Sequence, residues 1–280
     1  MPEHLKPILH HYAKYIFTVL LVCIVLFPIY WMLVSSFMPN SYLMSLPPHF
    51  LPKNPNFANY IKIFTNNQYL TFFKNSFLVS SSTVVLCLIV SILSGYGFSR
   101  YNFKGKGFAM TAILTVQMFP IVAILISLYT LYLKWGMINT YRGLILADTT
   151  FCLPLSVTLL KAFFDTIPRS LDESSKIDGC GRLRTLVSVL LPLTVPGLLA
   201  VGIYTFLHSW DDFLFGLVIM QKDTMKTLPV GLAQSFLGEY AHDYASMMTF
   251  AVSASVPIVA LFIFFQKYMI AGLTAGAVKG

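Results

Sequence analysis

Apolar residues in this chain come in long unbroken runs separated by short polar connections, without the two-residue alternation of half-buried strands. Four runs are free of charge over about 18 residues or more, the length that marks a membrane span and not a core helix. They are Ile16–Leu33, Phe77–Gly97, Phe108–Leu133 and Ala245–Phe265. Two further runs carry polar interruptions: Gly143–Leu160 with Asp148 and Pro154, and Leu193–Met220 with His208, Asp211 and Asp212. The pattern predicts an all-α polytopic membrane protein with six transmembrane helices, the even number placing both termini on one side. The first run is too long for the apolar core of a signal peptide and no small-residue cleavage pattern follows, so it reads as a retained helix.

The connections are unequal. Residues 38–71 are rich in Pro and Asn; Pro47-Pro48, Pro52 and Pro55 oppose a helix there, while Phe57–Phe64 predicts a short amphipathic one, the whole segment lying outside over the membrane surface. Arg100–Lys106 is a short basic link expected to hold its flanking spans as an antiparallel hairpin. Trp135–Thr140 is a tight turn, Gln221–His242 a loop with a short helix around Val230–Leu237, and Gly272–Gly280 a small-residue tail. There is no repeat of 20–50 residues, so the chain reads as a single membrane domain. It divides into 1–71 (first span plus outer segment), 72–267 (core) and 268–280 (tail).

Composition agrees: 56% of residues are hydrophobic and 11% charged, against roughly 25% charged in soluble domains. The net charge of +8 lies at span ends and forms no single patch, which excludes a nucleic-acid surface. With the N-terminus inside, Lys6, Lys14, Arg100, Lys104, Lys106, Lys161, Arg169, Lys176, Arg182, Arg184, Lys267 and Lys279 fall on the inner side. Only Lys53, Lys62, Lys74, Lys134, Arg142, Lys222 and Lys226 fall outside, so both termini are expected in the cytoplasm. Cys23, Cys87, Cys152 and Cys180 have neither metal-ligand nor disulfide spacing and read as small apolar fillers.

The most elaborate polar segment is the loop at 164–192, between the fourth and fifth spans. Ser170-Leu-Asp-Glu173 fits a capping box, which starts a helix near Leu171; Asp178-Gly179 ends it, since glycine accepts the left-handed backbone of a helix C-terminus. A second helix is expected from Gly181 to Leu191, with Pro192 and Pro196 marking the fifth span. Glu173, Gly179, Val189, Leu191 and Pro192 stand in the register of the EAA motif, E-A-A-x-x-x-G-x9-I-x-L-P, with Asp178 and Pro196 matching its longer form. The chain therefore resembles the permease subunits of ABC-type importers, Ser174-Ser175 replacing the two alanines. The ending Gly272–Gly280 and Trp210-Asp-Asp-Phe213 are similar to the maltose-type, carbohydrate subfamily, in which Asn is more usual at Asp211.

The resemblance implies that the loop is a cytoplasmic coupling helix. Glu173, Ser174, Ser175, Asp178, Gly179, Leu191 and Pro192 would serve an ATPase subunit's docking cleft. The chain would be half of a solute pathway in a bacterial inner membrane, beside a second homologous permease, two cytoplasmic ATPases that bind ATP and Mg, and an extracytoplasmic solute-binding protein. This chain would itself be non-catalytic and hold no cofactor. In agreement, there is no G-x-x-x-x-G-K-[ST], and Lys104-Gly-Lys-Gly107 has neither its spacing nor its hydroxyl. No hydrolase triad or His-Glu-x-x-His is present.

Within the membrane, Asp148, His208, Asp211 and Asp212 are costly in lipid and are expected to face the bundle interior or water. Gln117 and Tyr204 join them as candidates for the solute path. Bonding to a neighbouring helix explains the same residues equally well. A metal site is disfavoured because no second liganding helix is evident. Tyr30, Trp31, Tyr129, Tyr132 and Trp135 are placed as an interfacial belt, and Pro28, Pro120, Pro154 and Pro257 as kinks. Import of another solute (glycerol phosphate, a polyamine, a peptide) and a gradient-driven carrier using Asp211 or Asp212 remain rival readings.

Overall fold

The structure is a computed structural model that describes the backbone of residues 5–52, 54–236 and 243–277, and the side chains of 13–52, 54–236 and 243–266. Lys279 and residues 237–242, where the predicted loop helix ends, lie outside the described residues. All regular structure among the described residues is helical. The helices are α1 (Leu5–Ser36), α2 (Asn40–Leu43), α3 (Ala58–Thr65), α4 (Asn67–Arg100), α5 (Lys106–Thr115), α6 (Ile121–Lys134), α7 (Tyr141–Thr166) and α8 (Ser170–Ile177). There follow α9 (Arg182–Thr185), α10 (Leu191–Leu193), α11 (Val195–Trp210), α12 (Leu214–Ile219), α13 (Leu228–Phe236) and α14 (Tyr244–Ala277).

Four helices are long and apolar enough to cross a membrane unaided: α1, α4, α7 and α14. The other two predicted spans are bent pairs, which brings the total to six if each pair is one span. The run Phe108–Leu133 is divided into α5 and α6, inclined at 99°. Pro120 accounts for the break, because its ring forces the preceding residue out of helical backbone: Phe119 has φ −76° and ψ 135°. Pro28, Pro154 and Pro257, by contrast, are carried inside continuous helices. The second bend, of 82°, separates α9–α10 from α11 at Thr194.

The chain groups into two compact units, 1–67 with 232–256 and 68–231 with 257–280. In the first, α1 exposes every described side chain from Ala13 to Tyr30, and burial begins only near Val34–Ser36. Asp243 organises the rest: its carboxylate accepts from Lys62 Nζ at 2.6 Å, Asn40 Nδ2 at 3.0 Å and the Ser246 N–H at 3.0 Å, which caps α14.

In the second unit α4 and α7 run side by side in the same direction. Tyr141 donates to Asn75 Oδ1 at 2.7 Å near one end, and Ser99 donates to Asp165 Oδ1 at 2.6 Å near the other. α11 runs opposite to both. Thr205 Oγ1 lies 3.6 Å from Cys87 Sγ, and Cys87 Sγ lies 3.3 Å from Ser156 Oγ. Small and polar residues thus fill this helix interface, as expected where lipid supplies no hydrophobic contrast to drive packing. An apolar cluster of Val79, Leu125, Tyr132, Leu144, Phe215 and Ile219 lies on one part of α7, and Leu160, Phe164, Leu186, Leu190 and Val201 form another. Tyr132, placed in an interfacial belt by its position in the sequence, is a core residue.

Candidate functional site

The loop at 164–192 is built on α8. The capping box is not formed: the helix starts at Ser170 with no side-chain cap, and the Glu173 N–H bonds the Arg169 carbonyl at 3.2 Å. The physical reason lies one residue upstream. Arg169 already has helical backbone (φ −65°, ψ −21°), so Ser170 sits inside the first turn, where its hydroxyl cannot cap. Asp172 is drawn instead to Arg100, the last residue of α4, whose Nε lies 3.0 Å from Asp172 Oδ2 with both side chains largely buried. Arg100 Nη2 also donates to the Ile167 carbonyl at 3.0 Å, and Arg169 Nη2 to that of Ser99 at 3.4 Å. The base of α8 is thereby clamped to the end of α4.

The far end of α8 closes as expected. Gly179 has φ +77°, its N–H bonds Lys176 O at 3.1 Å, and the Cys180 N–H bonds Ser175 O at 2.9 Å. This is the paired bonding of a Schellman motif, which requires a left-handed residue at that position. Of the motif residues, Ser175 is buried and donates to the Leu171 carbonyl at 2.7 Å, while Glu173, Ser174, Asp178 and Gly179 are exposed. Ser175 thus takes the inward place of an alanine and satisfies its hydroxyl within the helix. Ile177 is 86% exposed at the helix end, and Leu183 is also exposed. Motif matching passed over both, although two apolar residues in a polar loop are a readable signal. A cavity of about 390 Å³ opens beside α8, lined among others by Arg100, Tyr101, Arg169, Lys176 and Arg182, with the Arg182 guanidinium 5.2 Å from the Tyr101 ring centre.

Leu191 and Pro192 stand apart from this surface. The expected helix from Gly181 is realised as α9 and α10 joined through a π turn at Leu186–Leu190. Pro192 therefore follows directly on helical backbone instead of opening a new span. Lacking an N–H, it cannot complete the ordinary ladder, and the backbone widens just before it. Leu191 packs on the cluster that contains Leu160 and Leu190.

The intramembrane candidates separate in the structure. Asp148 is fully buried and accepts a hydrogen bond from Ser209 Oγ at 2.5 Å, tying α7 to α11; its Oδ1 has no hydrogen-bond partner among the described residues. Tyr204, His208, Asp211 and Asp212 line one cavity of about 500 Å³ with Ile121, Leu207, Phe213 and Leu214. The ring of His208 lies 5.1 Å from Phe151 and 6.1 Å from Tyr204. Asp211 and Asp212 are not on the helix that carries His208, because α11 ends at Trp210. Asp212 turns back as the cap of α12, accepting from the N–H groups of Phe215 at 3.2 Å and Gly216 at 2.7 Å. Consecutive aspartates favour capping over helix continuation. Asp211 remains exposed to the cavity, and Gln117 sits exposed on the turn at Val116–Met118, away from the lining. Among the described residues, no three His, Cys, Asp or Glu side chains converge on a metal position.

Residues 87–274 match the family model described as binding-protein-dependent transport system inner membrane component. The chain is 34% identical over 255 residues to the sulfoquinovosyl glycerol transport system permease protein SmoH of Agrobacterium fabrum, covering 91% of this chain and 89% of that protein. It is 37% identical over 260 residues to the arabinooligosaccharides transport system permease protein AraQ of Halalkalibacterium halodurans, covering 92% of each. A solved bacterial ABC transporter involved in the import of the acidic polysaccharide alginate matches with a TM-score of 0.84 at 18% identity, over 94% of this chain and 98% of that one. That last likeness is one of fold.

Proposed function

The chain belongs to the family of binding-protein-dependent transport system inner membrane components, as a non-catalytic permease subunit of an ABC importer; from that premise we propose that it imports a sugar as one half of a translocation pathway. The carrier reading is thereby set aside. The sugar assignment is supported by the relatives, which are named as permeases for saccharides and a sugar glycoside. In this reading the chain is a single membrane domain, with 1–71 the first span and outer segment, 72–267 the core with the coupling loop 164–192, and 268–280 a cytoplasmic tail. Both termini face the cytoplasm. A second permease completes the pathway, a solute-binding protein delivers from outside, and two ATPases supply ATP, Mg and the driving force. Surrounding lipid is the remaining partner, and nucleic acid is none.

The observation that carries the coupling role is that α8 is clamped at its base and leaves one face exposed. Arg100 grips Asp172 and the Ile167 carbonyl, while Glu173, Ser174, Ile177, Asp178 and Gly179 stand free. A polar rim around an exposed isoleucine is the composition of a docking surface. Displacement of α8 by closing ATPases would reach α4 through the Arg100 clamp, and α4 packs along α7 and α11. Movement then amounts to a switch between two packings of these helices, biased by the ATPase state. The cavity lined by Tyr204, His208, Asp211 and Asp212 forms a wall of the solute path, whereas Asp148 acts as an internal tie.

A pull-down of the tagged chain from its native membranes in mild detergent tests the assembly. Recovery of a second permease and ATPase activity is expected, and elution of the chain alone with no activity refutes it. With the binding protein added, sugars are expected to stimulate hydrolysis; stimulation by a polyamine, peptide or glycerol phosphate instead reassigns the solute. In Gly179→Val, membrane insertion should persist while uptake is lost, since a left-handed backbone costs an L-residue about 1–2 kcal/mol.

A further inference from the structure

The exposed apolar edge at residues 44–52 is not used by the transport reading. Between Ser41 and Pro52 there is no Lys, Arg, Asp or Glu and one histidine, His49, and Pro47, Pro48 and Pro52 lack backbone N–H donors. Leu46 is 93% and Leu51 68% exposed, with Met44 and Phe50 exposed as well. The segment is fastened to the end of α1. Tyr30 Oη donates to the Phe50 carbonyl at 2.6 Å, and the Phe50 ring meets Trp31 edge-on with centroids 5.9 Å apart.

That attachment identifies what covers the edge. α1 exposes all its described side chains up to Tyr30, and an apolar run of this length places the helix across a bilayer. Tyr30 and Trp31 follow at its end, the aromatic pair expected at headgroup depth. A neighbouring segment pinned to those two rings lies at the same depth. Its missing donors lower the cost of leaving water, because each unpaired backbone group is expensive in lipid. We propose that residues 44–52 are an interfacial anchor, with Leu46, Phe50 and Leu51 set into the boundary between phospholipid headgroups and acyl chains. The proposal rests on α1 spanning the membrane and is independent of the importer assignment.

A photoactivatable benzophenone amino acid in place of Leu46, Leu51 or, as a control, the exposed polar Asn54 tests it in the intact complex, reconstituted in phosphatidylcholine vesicles carrying an alkyne-tagged phospholipid. Irradiation should attach lipid several-fold more at positions 46 and 51 than at 54. Adducts to another protein chain, equal labelling at 54, or no lipid adduct at 46 and 51 would overturn the anchor. None of these outcomes depends on uptake, so the anchor and the importer reading fail separately.

Discussion

α1 and α7 are both long enough to cross a bilayer, yet none of the most apolar 18-residue stretch of α1 is buried within the chain, while 56% of that of α7 is. The more apolar helix is the less packed one. Lipid is as apolar as leucine, so side chains such as Leu20, Val22 and Phe27 gain little from leaving it for a protein neighbour. What draws α7 inward is a face of small and polar residues, Gly143, Ala147, Asp148, Cys152 and Ser156, which lets other backbones approach and offers partners that lipid lacks. Apolarity places a helix in the membrane; small and polar groups decide what it packs against.

The contrast can be broken most strongly at Asp148. Ser209→Ala removes the hydroxyl that its buried carboxyl accepts and should destabilise the protein by about 3 kcal/mol, the scale of an abandoned buried polar partner. Thermal unfolding of the purified complex reads this. The pair Asp148→Ala with Ser209→Ala should lose less than the sum of the singles, and strict additivity would remove the tie between α7 and α11.

Gly143 comes next. A Cβ there would stand 2.4 Å from the Met137 carbonyl oxygen, which already accepts from Thr140 Oγ1 at 2.8 Å. Backbone has little freedom to yield, so Gly143→Ala should cost roughly 1–3 kcal/mol. An unchanged melting temperature would mean that the turn before α7 is looser than its packing indicates.

A smaller effect is expected where the first unit is held by charge. Partial burial raises the Asp243 carboxyl, but its bonds to Lys62 and Ser246 outweigh this and leave it below its ordinary value. A depressed carboxylate stabilises the fold above its unfolded value, about 3.9 for Asp, and that stability is lost as pH falls towards the folded value. Acidification from pH 5 to 3, on the scale of those values, should therefore loosen this unit, and Asp243→Asn should blunt the response by under about 1 kcal/mol, as for an exposed pair. Equal acid sensitivity in both forms would dismiss Asp243 as its source. Smallest of all, Leu20→Ala in α1 should shift stability by less than about 0.5 kcal/mol, since the side chain faces the same apolar surroundings before and after unfolding within the membrane.

The motif residues show which parts were readable in advance. Gly179 was legible because one backbone geometry demands it, and the structure supplies that geometry. Ser170 was misread because Ser-x-x-Glu is the same string whether the helix begins at or before the serine, and Arg100, 70 residues upstream, took the neighbouring Asp172. The break at Phe119-Pro120 was marked by proline, but three other prolines lie in unbroken helices, so the residue alone does not tell a break from a tolerated position. Asp211 and Asp212, adjacent in sequence, both line one cavity, but Asp212 also accepts from the N–H groups that open α12.

The amino-acid sequence by itself determined that this is an all-helical membrane chain, where its apolar runs lie, and that its polar loop carries the EAA pattern. These follow from hydropathy and local backbone preference, which act over a few residues. Only the tertiary structure decided that Arg100 anchors α8, that Asp148 is tied to Ser209, and that Ile121 joins Tyr204, His208 and Asp211 around one cavity. Those choices join residues far apart in the chain through contacts of a few ångströms, which no local pattern encodes.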